Sequence, residues 1–495
     1  MRFPFRLRRP EIPCLLLISA LLTGASPAGW RMTPSSESAG PVTARAAKDL
    51  TRKQPLLIWP GDPTQMKVAW QLNSTASSTI DWGTDTTYAL GSQATAEYGT
   101  DHQHAYTITG LTPGWKYFYR VTTAGDPVYK GSFHAAPPSN QSDVKLFVYG
   151  DTRTDTAEHD VVAGAMVDDY TADPEYQSIV LCVGDLVADG NSESTWDSEF
   201  FDASRSHIRT LTANLPFHSC MGNHEGSGTL FVKYFPYPYQ GGRYWSFDYG
   251  PLHVTFVDQY NPYGPGSVQH QWITSDLASS NKPWKFIVLH EPGWSGGGHE
   301  NDLSVQNYIQ PLCLQYGVSI VLGGHNHYYT RAVVNDIQHI TTGGGGAPLY
   351  TPNPDYPYIV AAARAYHYCR IDINNGTLTF QAVTPDGTLL DAFTIQTPVA
   401  VEPTIPQTIV ASAHPNPFST STTIRWSGPA GHPVTVLILD VHGRVIRRFS
   451  AAAAGEQSTI WDGTDENGGS VRSGIYYYWI GSAESSQSGK LLRLR

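Results

Sequence analysis

Five short apolar runs between residues 144 and 327 each end in a cluster of small residues and metal-donor side chains. Val144–Tyr149 leads into Gly150-Asp151, and Ser178–Val183 leads into Gly184-Asp185. Phe217–Met221 leads into Gly222-Asn223-His224-Glu225, and Phe286–Leu289 leads into His290. Ser319–Leu322 leads into Gly323-Gly324-His325-Asn326-His327. An apolar run of this length, bounded by a turn residue, reads as a buried strand. Each cluster therefore sits where a strand stops and a loop begins. Ligands of open α/β folds bind outside the carboxyl ends of strands.

The donor types narrow the chemistry. Asp, Asn and His offer oxygen and imidazole ligands, which suit Zn, Mn or Fe. No Cys-x-x-Cys pair competes for a metal. Two Asp, one Asn and three His exceed what one four-coordinate ion needs. The supply suits two ions sharing a bridging carboxylate, the arrangement used on phosphate esters.

The ordered set of Gly-Asp, Gly-Asp, Gly-Asn-His-Glu, Leu-His and Gly-His-Asn-His resembles the calcineurin-like metallophosphoesterases, and within them the purple acid phosphatases. The resemblance spans residues 53 to 398. It implies an α/β catalytic domain of two β-sheets flanked by helices, over 143–398, after an all-β sandwich over 53–137. It also implies a metal-dependent phosphoesterase. Asp151 and His327 would bind the first ion, Asp185 would bridge, and Asn223, His290 and His325 would bind the second. A hydroxide between the ions would attack phosphorus in line with the departing alcohol. His224 would protonate the leaving oxygen or stabilise the phosphoryl group, and Asn223 would touch substrate. His299, after the Gly-rich Ser295–Gly298 loop, is the second catalytic candidate. The ions would be Fe, Zn or Mn, in a divalent or trivalent state. Phosphate monoesters are the expected substrates. A diesterase or nucleotide hydrolase, and a non-catalytic binding protein on the same scaffold, are the alternatives.

Two positions depart from the family pattern. The purple enzymes carry a Tyr three residues after the bridging Asp, where this chain has Ala188. Other members carry a His two residues after the first Asp, where this chain has Arg153, which offers no lone pair. His159, expected in the first turns of a helix capped by Asp155, is the candidate for the missing ligand. Arg153 is the candidate for contact with substrate phosphate.

The flanking segments speak to export. Residues 1–28 combine Arg2, Arg6, Arg8 and Arg9 with an apolar Ile12–Leu22 and small residues at Ala25, Ser26 and Ala28. That pattern reads as a secretory signal, and no other long apolar stretch predicts a membrane span in the mature chain. Residues 29–52 read as a linker. Cys182, Cys220, Cys313 and Cys369 have apolar or aromatic surroundings and read as buried free thiols. A net charge of −11 argues against a nucleic-acid partner. Residues 405–495 alternate apolar and polar residues around Asn-Gly and Gly-Arg turns, which predicts a small β-sandwich. That segment resembles the sorting domains of type IX secretion, which share the fold of a flagellar hook-capping domain. The resemblance implies the type IX machinery as a partner and a secreted or cell-surface location.

The remaining histidines read as ordinary. His102 and His104 fit a strand or surface, His218, His253 and His367 fit strands, and His339 has no motif around it. Asp189 reads as a loop residue.

Overall fold

Among the described residues, strands outnumber helices and pair into six sheets. The computed structural model describes residues 50–173, 178–396, 410–428, 434–451, 455–481 and 486–495. The expected signal, most of the linker and the boundary between 398 and 405 lie outside the described residues. Among the described residues, no helix is long and apolar enough to cross a membrane.

The first β-sandwich follows from period-two patterning. Along Lys116–Thr123 the buried positions alternate, so Tyr117, Tyr119 and Val121 face inward. Its two sheets hold three and four strands. The Tyr117 hydroxyl accepts from the Thr112 N–H at 2.8 Å, tying down the corner before its own strand. The linker ends earlier than expected, because Thr51 and Arg52 already belong to the strand Thr51–Ile58. Its charges hid it in the sequence. Lys53 is buried, and its ammonium meets Gln71 Oε1 at 2.7 Å and Asp197 at 2.6 Å. Arg52 reaches the same Asp197 at 2.6 Å. Pairing makes such buried charges tolerable, and here it binds the sandwich to the next domain. Tyr119 and Ser132 add hydrogen bonds to Ala213 O and Asn214 Oδ1.

The central domain stacks a six-stranded and a seven-stranded sheet. In the first, Asp143–Tyr149, Ser178–Cys182 and Phe217–Ser219 run parallel as neighbours. In the second, Leu252–Phe256, Trp284–Val288, Ile320–Gly323 and Ile337–Thr342 run parallel in that spatial order. Strands in the middle of covered parallel sheets are apolar throughout. Leu252–Phe256 and Ile320–Gly323 are buried at every position. Parallel pairing sends successive carboxyl ends to the same edge. The loops carrying Asp151, Asp185 and Asn223 therefore leave one edge side by side, as do those of His290 and His325 on the second sheet.

Helices cover these sheets. Thr156–Ala172 starts where expected, with the Asp155 carboxylate accepting from the N–H groups of Ala157 and Glu158. Such a cap contributes about 1 kcal/mol. A short helix, Glu193–Ser198, is capped by Ser192. Phe200 and Phe201 lie beyond it, in an aromatic cluster with Trp196, Tyr234 and Phe235. Further on, a π-helical turn, Val305–Ile309, is followed by the α-helix Gln310–Tyr316. Pro311 has no N–H to donate to a preceding turn, which accounts for the widened ladder there. The helix stops at Gly317 with φ 69°.

All four cysteines between 182 and 369 are buried and free. The last segment is a second β-sandwich, of three and four strands, around Ile424, Trp426, Val436, Ile438 and Trp461.

Candidate metal centre

The two sets of loops converge on a cluster of acceptors. Among the described residues, Asp151, Asp185 and His290 each bring one ligand atom within 4.8 Å of the others. Backbone geometry is bent to achieve this. Asp151, Asp185 and His325 have φ of 54°, 55° and 68°. Non-glycine residues are uncommon there, and each such position costs of order 1 kcal/mol. Two glycines let carboxylates approach the chain. A Cβ on Gly222 would lie 2.2 Å from Asp185 Oδ1, and one on Gly324 would lie 2.3 Å from Asp151 Oδ2.

Each of three imidazoles is oriented by a backbone carbonyl. His290 Nδ1 lies 2.7 Å from Val183 O, His327 Nδ1 2.9 Å from Pro348 O, and His224 Nδ1 2.8 Å from Ala188 O. A carbonyl can only accept, so Nδ1 carries a proton in all three and Nε2 is the nitrogen turned toward the cluster. His290 Nε2 faces Asn223 Oδ1 at 3.1 Å and Asp185 Oδ1 at 3.4 Å. Those three ligand atoms point at one another. His325 Nδ1 adds a fourth contact to Asn223 Oδ1, at 3.0 Å. These oxygen and imidazole atoms crowd one point, where a bound cation would let each of them act as a ligand. Asp185, Asn223, His290 and His325 thus fit a metal ion on an observation of geometry.

The other half differs. Asp151 is fully buried and accepts from the His325 N–H at 3.0 Å. His327 Nε2 lies 3.6 Å from Asp151 Oδ1. Between these donors stands Arg153. Its Nε is 3.3 Å from Asp185 Oδ2, and its Nη2 is 3.3 Å from His327 Nε2.

Electrostatics follow from burial and neighbours. Burial, and then the Asp185 charge, push the Asp151 carboxyl well above its usual range. Burial opposes ionisation of Asp185 too, but His290, His224 and Arg153 outweigh it and hold its pKa low. Burial lowers His325 to about 3 and His327 to about 4, so both present neutral rings.

A calcineurin-like phosphoesterase family model matches residues 154–329, and a purple acid phosphatase N-terminal domain model matches residues 53–145. Residues 154–329 form a calcineurin-like metallophosphoesterase domain. It is a phosphoric ester hydrolase whose family relatives are purple acid phosphatases. Human acid phosphatase type 7 is 27% identical over 407 residues, covering 70% of this chain and 91% of its own length. Purple acid phosphatase 23 of Arabidopsis thaliana is 28% identical over 281 residues, covering 50% of this chain and 60% of its own. The fold is also that of the yellow lupin purple acid phosphatase PPD1. That match has a TM-score of 0.58 at 19% identity and covers 69% of this chain and 74% of the other. A FlgD Ig-like domain model matches residues 418–486. Metallophosphoesterases of this branch imply a binuclear centre, and the cluster above is where this chain can hold one.

One expected ligand of this metallophosphoesterase is elsewhere. His159 is buried in its helix, its Nε2 3.1 Å from the Tyr149 hydroxyl and its ring beside Phe200. Burial lowers its pKa to about 3, so it is a neutral core histidine. Helix position alone put it near the Asp151 loop; the 3.6-residue turn directs its side chain into the core instead. His224 lies beside the cluster, with Nε2 3.9 Å from Asp185 Oδ2. His299 is exposed, held by its N–H to Asn326 Oδ1 at 2.7 Å, with its ring 4.0 Å from that of His325.

Sequence reading gave no role to Glu225 or Tyr350. The fully buried Glu225 carboxylate accepts from the N–H groups of Asp185, Leu186 and Gly222, at 2.7 to 3.0 Å. It pins the Asp185 turn to the Asn223 turn. Burial and the Asp185 charge raise its pKa to about 8. Its place directly after Asn223 and His224 was the available signal. Tyr350 stacks on His327 at 4.3 Å and carried no signal.

The remaining histidines lie in other surroundings. His104 stacks on Trp70, His218 meets Trp59 O, and His339 meets Gln310. His102 has an acidic partner, Glu97 at 3.1 Å. Asp189 accepts from the Asn191 N–H in its own loop.

Proposed function

We propose that the protein is a secreted phosphatase that hydrolyses small phosphate monoesters at a binuclear centre built on Asp151, Asp185, Asn223, His290, His325 and His327. The observation that carries this reading is the convergence of His290 Nε2, Asn223 Oδ1 and Asp185 Oδ1 on one point. When bound, the metal pair supplies a strong nucleophile at neutral pH and neutralises charge on phosphate oxygens. The chain's own groups do the rest. Asn223 and Asp185 fix the ligand geometry. His224, oriented by Ala188 O, offers Nε2 to the leaving oxygen and protonates it as an imidazolium. His299 and Tyr350 flank the ligand imidazoles and contact the ester. Arg153 supplies a planar cation for phosphate oxygens.

Export rests on the leader-like residues 1–28. Delivery by the type IX machinery rests on the C-terminal sandwich and its FlgD Ig-like match. Fractionation of cells expressing the full chain, with and without residues 405–495, tests both.

The activity test compares kcat/KM on p-nitrophenyl phosphate and on its bis-ester, with Zn, Mn and Fe supplied. At least tenfold preference for the monoester is expected. Preference for the bis-ester moves the reading to a phosphodiesterase. Hydrolysis of neither, with any of the three metals, sinks it.

A further inference from the structure

We infer that Arg153 and the first metal ion compete for the same lone pairs, so the first site is weak and exchangeable while the second is tightly held. The inference rests on the binuclear reading above.

The guanidinium meets one atom from each of two expected first-site ligands. Its Nη2 lies 3.3 Å from His327 Nε2. That nitrogen's only free lone pair is the one a metal would use, because Nδ1 is committed to Pro348 O. Its Nε lies 3.3 Å from Asp185 Oδ2, the oxygen of the bridging carboxylate that does not face His290. The arginine side chain is 14% exposed, and Nη1 is also engaged by Thr154 Oγ1 at 3.2 Å. It is thus a held group rather than a passing surface cation.

Its charge does at this position what an ion would do, balancing Asp151 and Asp185. An ion entering the first site must take His327 Nε2 and Asp185 Oδ2 from Arg153, and afterwards sits beside a displaced positive charge. Neither cost exists at the second site, where no Lys or Arg side chain is bonded to Asn223, His290 or His325 among the described residues. Among those residues no further protein ligand offsets the difference, since Ala188 stands where the family's Tyr would be and His159 lies in the helix core. Once displaced, the guanidinium becomes the phosphate contact proposed above.

The test is metal stoichiometry. The full mature chain, stripped with chelator, is reloaded with excess zinc, passed through gel filtration, and its metal counted by elemental analysis. Chelator competition then gives both affinities. The wild type should retain one ion and take a second at least tenfold more weakly. Arg153→Met should retain two, with the weaker affinity at least tenfold tighter and the stronger one changed less. Asn223→Ala in the wild-type background should lose the retained ion, which assigns it to the second site. Two equally tight ions in the wild type overturn the inference, as does one retained ion in Arg153→Met. Equal tightening of both sites reduces the effect to general charge repulsion and also overturns it. If Arg153→Met does not fold, Arg153→Gln gives the same readout. No ion on any chain overturns the metal-centre reading itself.

Discussion

The two halves of the centre share Asp185 and little else. Around Asn223, imidazoles and a carboxylate gather with no guanidinium among them: His290 Nε2 and His325 Nδ1 lie 3.1 and 3.0 Å from the same amide oxygen. Around Asp151, a guanidinium sits among the acceptors and satisfies two of them. One half therefore leaves its ligand atoms to an arriving cation, and the other carries a cation of its own. A ligand census cannot separate them, because both have nearly enough donors. What separates them is which lone pairs are already used.

The largest effect should come from breaking the half that needs its ion. His290→Ala removes the imidazole that Val183 O orients. Loss of the retained metal is expected, with a fall in kcat/KM of about 10³-fold, the several kcal/mol that a bound cation contributes to the transition state. His327→Ala, on the other half, should leave the retained ion in place by elemental analysis. Loss of all metal in both variants would erase the contrast.

His224→Asn is the next largest. Its backbone N–H to Asp185 Oδ1 survives the change, so metal content should hold. Turnover of an alkyl phosphate, whose leaving group needs a proton, should fall by about 10²-fold. Turnover of p-nitrophenyl phosphate should fall less. An equal loss on both substrates would move His224 from proton donor to phosphoryl contact.

Glu225→Gln tests the strut between the halves. The Gln amide nitrogen would meet a backbone N–H where the carboxylate now accepts one, loosening the Asp185 turn. Metal affinity should drop about 10- to 100-fold, the range for groups that support ligands. Isothermal titration with zinc reads it, and unchanged affinity would show that the turns hold themselves.

Much of this centre was legible before any coordinates. Apolar runs ending in Gly-Asp or Gly-Asn-His mark strand ends, and parallel pairing then forces those ends together. Asp155 announced a helix start through short-range chemistry. Lys53 was illegible because its burial depends on Asp197, 144 positions away. His159 misled because sequence spacing places a residue on a helix, while the turn of that helix decides which way it faces. Arg153 could be seen to lack a lone pair, but its hold on His327 depends on a loop more than 170 residues later. Long-range partners, not local pattern, decide such cases.

The smallest effect comes from a histidine built on the opposite logic to those in the centre. His290, His327 and His224 each give Nδ1–H to a carbonyl and turn Nε2 toward the cluster. His253 places Nδ1 2.8 Å from Asp248 and Nε2 3.0 Å from Asp276, so both nitrogens face carboxylates. Both must donate, and the ring is held as a cation. Burial works against that charge, but the two carboxylates outweigh it and raise the pKa to about 9. The folded value is above the unfolded value of about 6.5. The stabilisation is therefore complete below pH 6.5 and is lost as pH rises through 9. Asp248 is half-exposed, which screens its share, so the amount is on the order of 2 kcal/mol. Urea midpoints should fall between pH 6.5 and 9.5 for the wild type, and the slope should flatten in Asp248→Asn. A variant that keeps the full wild-type slope would place the pH sensitivity elsewhere, and the contrast between a charged and a neutral buried histidine would lose its measurable consequence.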